Sequence, residues 1–197
     1  QHYEVLRDGL KGKSMAESSA RKGLTEKQQK VEKAGVDAKK LIEAAEDMYR
    51  EAVAGKKKKG IDRKLLQVYM IIMVLAEIPL RNDLADVYVV KDKDEAVDET
   101  KNYMVYKSNG EEELPDVDII INKFKTKGKY KQLNNTLKSD KARLAVQRFI
   151  EWMGEKKMTD NTALLSWKTG TPLTRNDLSH LLGDTTKKWV GERVSTT

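Results

Sequence analysis

The sequence predicts an α+β fold, mainly helical, with a small antiparallel β-sheet inside the chain. Three observations predict it. Apolar residues recur at three- and four-residue steps across residues 25–52, 139–153 and 174–194, the spacing of amphipathic helices. Residues 61–80 are apolar nearly all round, which demands burial as a central helix. Between residues 86 and 132 the period shortens to two and β-branched residues gather, the pattern of short strands.

Residues 1–24 are polar and rich in small residues (Gly9, Gly12, Ser14, Ser18, Ser19, Gly23), and read as a linker or the end of a preceding segment. Residues 25–197 read as one domain. The first residue is Gln1 and not methionine, so a fragment is expected. Thr25-Glu26-Lys27-Gln28 fits a capping box, in which the threonine oxygen takes a backbone N–H and Gln28 reaches back. Val31, Ala34, Ala38, Leu41, Ile42, Ala45, Met48, Tyr49 and Ala52 form the apolar stripe that follows, with Gly35 a point where the helix can break. Gly55-Lys56-Lys57-Lys58-Lys59-Gly60 is a loop, whose lysines suit a solvated surface, a localisation signal or phosphate contact. Asp62 can cap the central helix and Pro79 bounds its end, with Met70 and Met73 as core filler.

Asp86-Val87-Tyr88-Val89-Val90 reads as a first strand, followed by an acidic loop. Residues 103–107 are a second strand, Asn109-Gly110 a turn, residues 117–122 a third strand, and residues 129–132 the start of a fourth. Helix returns after Ser139, with Ala142, Ala145, Val146, Phe149, Ile150 and Met153 on one face and Gly154 as its stop. Residues 163–167 are short and apolar, and Thr169-Gly170-Thr171-Pro172 is a turn. Thr174 then caps a helix whose inner face is Leu178, Leu181, Leu182, Thr185 and Trp189. No internal repeat is present.

Composition narrows the function classes. Among 197 residues, 38 Lys and Arg against 31 Asp and Glu leave a net charge of +7, which favours an anionic partner, most commonly nucleic acid. With 35% of residues charged, much of that charge is ordinary solvated surface. There is no cysteine, and His2 and His180 stand far apart without an HExxH spacing, so neither a disulfide framework nor a metal centre is expected. No P-loop or GxGxxG is present, so no nucleotide cofactor is expected either. The longest apolar run, residues 65–80, is interrupted by Gln67 and Glu77 and is shorter than the roughly 20 residues of a membrane span. No signal peptide is visible, and an intracellular protein without a membrane partner is expected.

Two stretches carry the chemistry. Arg81, in Pro79-Leu80-Arg81-Asn82-Asp83-Leu84-Ala85-Asp86, follows the most apolar helix and precedes a strand. It suits a helix-end cation that complements the dipole. Held at a helix–sheet junction, it also suits a planar fork offered to phosphate oxygens. In Asn122-Lys123-Phe124-Lys125-Thr126-Lys127-Gly128-Lys129-Tyr130, alternate residues Lys123, Lys125, Lys127, Lys129 and then Lys131 share one strand face, with Gly128 as the bend. Lysines guard edge strands against aggregation, and five on one face also favour phosphate contact.

In this order (apolar helix, Pro-x-Arg-Asn-Asp, short strands, lysine hairpin, helix, then Leu165-Ser166-Trp167-Lys168-Thr169-Gly170-Thr171-Pro172-Leu173-Thr174 and a further helix) the chain resembles the catalytic domain of tyrosine recombinases, or integrases. The likeness is to those of large eukaryotic DNA viruses, virophages and related mobile elements, and covers residues 61–197. It implies a DNA breaking-rejoining fold. Pro79-Leu80-Arg81-Asn82-Asp83 matches the segment of the first catalytic arginine, with Leu80 where an arginine often stands. Asn122-Lys123-Phe124-Lys125-Thr126 matches the hairpin of the catalytic lysine. The resemblance assigns that lysine to Lys125, with Lys127 as the alternative. The family's second box, His/Lys-x-x-Arg, and its nucleophilic tyrosine find no match: His180-Leu181-Leu182-Gly183 has glycine at the arginine position, and no tyrosine follows Tyr130. A catalytic domain truncated before that box is therefore expected.

The resemblance implies site-specific recombination or integration of double-stranded DNA. A tyrosine attacks the scissile phosphate, giving a 3′-phosphotyrosyl bond and a free 5′-hydroxyl, without ATP or metal. Arg81 would stabilise the pentacoordinate phosphorane and Lys125 would protonate the leaving 5′-oxygen. Lys123, Lys127, Lys129 and Arg63 would contact the DNA backbone. The family assembles as a tetramer on DNA, and a viral origin implies a host nucleus, viral factory or virion. A type IB topoisomerase, a non-catalytic DNA-binding relative and a purely structural helical protein are the other readings.

Overall fold

A computed structural model describes residues 33, 35–54, 61–80, 82–110, 112–123, 132–154, 162–167 and 171–194. The chain divides into two compact units, Gln1–Val36 and Asp37–Thr197. Almost all described residues belong to the second unit, and every element named below lies in it. The expected capping box at Thr25 lies outside the described residues. Gly35 takes φ +63°, a left-handed conformation that ends any helix through it. The described helix, α1, starts beyond it and spans Ala38–Ala54.

Helix α2, Arg63–Glu77, is the central helix, and all of its residues from Leu65 to Val74 are buried. Asp62 caps it by accepting a hydrogen bond from the Leu65 amide at 3.2 Å. A 3-10 helix, Asn82–Asp86, turns the chain into strand β1, Val87–Val90. That short turn was not legible in the sequence. A second 3-10 turn, Lys93–Glu95, leads to β2, Asn102–Lys107, and then β3, Asp116–Ile121, and β4, Leu133–Thr136. Helix α3, Asp140–Met153, is capped by Ser139 and stopped by Gly154 at φ +83°. The Glu77 carboxylate, at the end of α2, accepts from the amides of Lys138 and Ser139 at 2.6 and 3.1 Å, and so fixes where α3 begins. Strand β5, Thr162–Ala163, precedes α4, Arg175–Val190. A reciprocal Thr174–Asp177 capping box opens α4, and left-handed Gly191 closes it, short of the expected 194.

The five strands lie in the order β4-β3-β2-β1-β5. The sheet is mixed, which corrects the antiparallel expectation: β1 and β2 run parallel, with Val87 opposite Asn102, while the other pairs are antiparallel. A parallel pair needs a crossover of about a dozen residues. Residues 91–101, turned by Lys93–Glu95, supply it. Strand β4 is described from Leu133, and residues 129–131 of the expected start lie outside the described residues. Gln132 is spent on side-chain bonds to Asn122 and Asn134.

The pleat sorts the strand residues between two faces. Val87, Val89, Met104, Tyr106, Val117, Ile119 and Ile121 join the main core with α1 to α4. Val90, Tyr103, Val105 and Ile120 form a smaller cluster on the opposite face, with Tyr88 and Ala96 against it. Among the helices, Tyr49 and Tyr69 stack with ring centres 5.0 Å apart. The Arg148 guanidinium lies 4.1 Å from the Tyr49 ring centre and donates to the Tyr69 hydroxyl at 2.9 Å. No described helix is long and apolar enough to cross a membrane.

Three carboxylates tie stability to pH. Burial pushes the Asp118 carboxyl up, but the Thr136 hydroxyl and the Lys93 ammonium at 2.9 Å outweigh it and leave it below its ordinary value of 3.8. The hydroxyl and amide of Thr100 lower Asp98, and the amide and hydroxyl of Thr174 lower Asp177. A carboxylate depressed in the folded state adds stability above its unfolded value and loses it as pH falls through the folded value. The urea midpoint is therefore expected to be lower at pH 3 than at pH 7. Asp118→Asn is expected to narrow that difference, and an unchanged difference would remove Asp118 from the account.

Candidate functional site

Arg81, Lys125, Lys127 and Lys129 lie outside the described residues, as do Lys131 and the lysines of residues 56–59. Lys123 and Arg63 are described. So is the frame from which Arg81 and the lysine run emerge, because Leu80 and Asn82 flank Arg81 and Lys123 opens the lysine run.

That frame centres on Asn102, the first residue of β2, which has no exposed surface. Its Oδ1 accepts from the backbone amides of Asn122 at 2.9 Å and Lys123 at 2.7 Å. Its Nδ2 lies 3.4 Å from the carbonyl of Asp83 and 3.4 Å from that of Lys123. One buried side chain thus joins the turn two residues after Arg81 to the residue that begins the lysine run. The run is closed from its other end too. Gln132 donates to Asn122 Oδ1 at 2.6 Å, while Asn122 Nδ2 donates to the Lys101 carbonyl at 2.8 Å. Antiparallel β3 and β4 meet at Ile121 and Leu133, so residues 122–132 connect the two strands of a hairpin.

Arg175 adds a second tie. As the first residue of α4 it places a cation at the positive end of the helix dipole, an unfavourable position by itself. The structure shows what offsets this. Its Nε donates to Asp86 Oδ2 at 2.7 Å, and its Nη2 reaches Asp83 Oδ1 and the Lys123 carbonyl, each at 3.0 Å. Asp83 and Asp86 stand three apart in a 3-10 helix, where residues i and i+3 eclipse, so both carboxylates face one side. Neither Asn102 nor Arg175 was singled out in the sequence. The one available signal was a cation directly after the N-cap threonine, where the dipole disfavours it.

Arg63 begins α2 and turns towards the protein. It donates to the Ser166 hydroxyl and lies 5.6 Å from the Trp152 ring centre. Its Nε is buried without a hydrogen-bond partner, and burial lowers its pKa. One turn on, Gln67 Oε1 accepts from the Ser166 amide at 3.2 Å. Ser166 is bridged to Pro172, and Trp167, 45% exposed, donates its amide to the Thr171 carbonyl at 2.7 Å. The Trp167 indole also bonds Asp177 in the first turn of α4. His180 is exposed on α4, and no group of three or more His, Asp or Glu residues suited to a metal occurs among the described residues.

This arrangement is a scaffold rather than a reacting centre. Its carboxylates are matched to Arg175, its buried amides to Asn102, and it holds the turn after Arg81 beside the start of the lysine run. Compared with protein-family models, curated proteins and solved structures, the chain matches none.

Proposed function

We propose that the chain is part of the catalytic domain of a DNA strand transferase of the tyrosine recombinase kind. It would hold a phosphodiester of double-stranded DNA between Arg81 and the lysine hairpin. The observation that carries this reading is the pair of ties at Asn102 and Arg175. Both join the turn after Arg81 to the Lys123 backbone, which supports a site shared by two stretches distant in the sequence. Arg81 stabilises the non-bridging oxygens of the phosphorane. Lys125, or Lys127 in the alternative register, protonates the leaving 5′-oxygen. Lys123, Lys127 and Lys129 contact the DNA backbone, positioning it without reading sequence. This chemistry also requires a nucleophilic tyrosine and a second arginine, which the family's pattern does not locate within residues 1–197, and the working assembly is a tetramer on DNA, inside a cell or virion.

Two measurements test the reading. The first is fluorescence anisotropy of the chain on a labelled duplex across a salt series. It is expected to give affinity that falls steeply and linearly on logarithmic axes as counterions are released. Weak, salt-insensitive binding contradicts the proposal. The second uses the product of the reading frame continued past the codon for Thr197, incubated with nicked duplex DNA. A covalent protein–DNA adduct is expected, and Arg81→Ala should reduce its formation by about two orders of magnitude or more. Salt-dependent binding with no adduct would leave a DNA-binding relative without chemistry.

A further inference from the structure

We infer that Arg175 is the positioning residue of the proposed site, locking the Asn82–Asp86 turn to the end of β3 without itself binding phosphate. The inference rests on the proposed function for its DNA arm, while its structural arm stands on the free protein.

Arg175 faces the two carboxylates of Asp83 and Asp86, so the three side chains together carry one net negative charge. Asp177, two residues on in the same helical turn, adds another, turned back onto Thr174. A phosphate gains nothing from approaching that group. Geometry leads to the same place. The guanidinium meets its three acceptors on Asp83, Asp86 and Lys123 through Nε and Nη2, and a planar fork can span them at once. An ammonium on a flexible stem cannot match that spread, so lysine is not a conservative replacement here. The partners are distant in sequence, with 89 residues separating Arg175 from Asp86 and 52 separating it from Lys123. Asn102 is a second tie between the turn and the strand end, through its Nδ2.

Hydrogen exchange of the free protein and DNA affinity across a salt series test this together. In Arg175→Ala, the Lys123 amide is expected to exchange roughly tenfold faster or more, the equivalent of one charge-assisted hydrogen bond removed. DNA affinity should fall severalfold with an unchanged salt slope, because no phosphate ligand is removed. Arg175→Lys should behave like the alanine variant in both readouts. A salt slope lowered by about 0.9 and restored by Arg175→Lys would make Arg175 a phosphate ligand and overturn the inference. So would an unchanged Lys123 exchange rate. If Arg175→Ala fails to fold by circular dichroism, Asp86→Asn carries the test, with the same faster exchange expected. If the unaltered protein shows no salt-dependent DNA binding, the proposed function fails, and the exchange arm still decides whether Arg175 is the lock.

Discussion

Replacing Asn102 by alanine is expected to lower the free energy of unfolding by about 3 kcal/mol. Asn102 is fully buried, and its Oδ1 serves two backbone amides, those of Asn122 and Lys123. Removing it leaves both donors without that acceptor in a region closed to water, and each orphaned buried donor costs about 1–3 kcal/mol. Truncation also leaves a small void beneath β2. Aspartate is not a repair. It restores an acceptor, but loses the donor aimed at the Asp83 and Lys123 carbonyls and buries a charge. Urea denaturation of Asn102→Ala and Asn102→Asp measures both effects. A change below about 1 kcal/mol in the alanine variant would mean that the strand end does not depend on this side chain.

The second large effect concerns DNA. Converting Lys125, Lys127 and Lys129 together to glutamine is expected to flatten the salt dependence of duplex binding by roughly three units, near 0.9 for each phosphate no longer neutralised. Near physiological salt the same change should weaken binding by about two orders of magnitude. These residues lie between β3 and β4 in the sequence and belong to neither strand's paired residues, so the fold should hold. The control is thermal unfolding. A triple variant with normal stability and an unchanged salt slope would reduce the lysines to guards of a sheet edge.

Particular residues show how far the sequence was legible. The helices could be read because their signals are local: the apolar period that runs through Ala38 to Ala52, the long apolar run of α2, the caps at Asp62, Ser139 and Thr174, and the stop at Gly154. The first three strands were also local, carried by Val87, Tyr103 and Ile119 and their neighbours. The parallel pairing of β1 with β2 was not, because strand direction depends on the path of residues 91–101, which carry no period. Strand β4, Leu-Asn-Asn-Thr, has too little apolar or β-branched character to be read as a strand, and forms by pairing with β3. The same division holds at the site. Arg81 and the lysines were conspicuous by residue type and spacing. Asn102 and Arg175 look ordinary in the sequence, and their importance comes from partners that only the fold brings near.

The central claim is that Arg81 and Lys125 face one phosphodiester. The chain contains no cysteine, so Arg81→Cys and Lys125→Cys supply unique thiols for nitroxide labels. The measurement is the continuous-wave electron paramagnetic resonance spectrum of the doubly labelled protein, compared with the sum of the two singly labelled spectra. The account predicts clear dipolar broadening, because the turn after Arg81 and the start of the lysine run are joined at Asn102 and Arg175. A double-label spectrum identical to that sum would place the two residues too far apart to share a phosphate, and would contradict it.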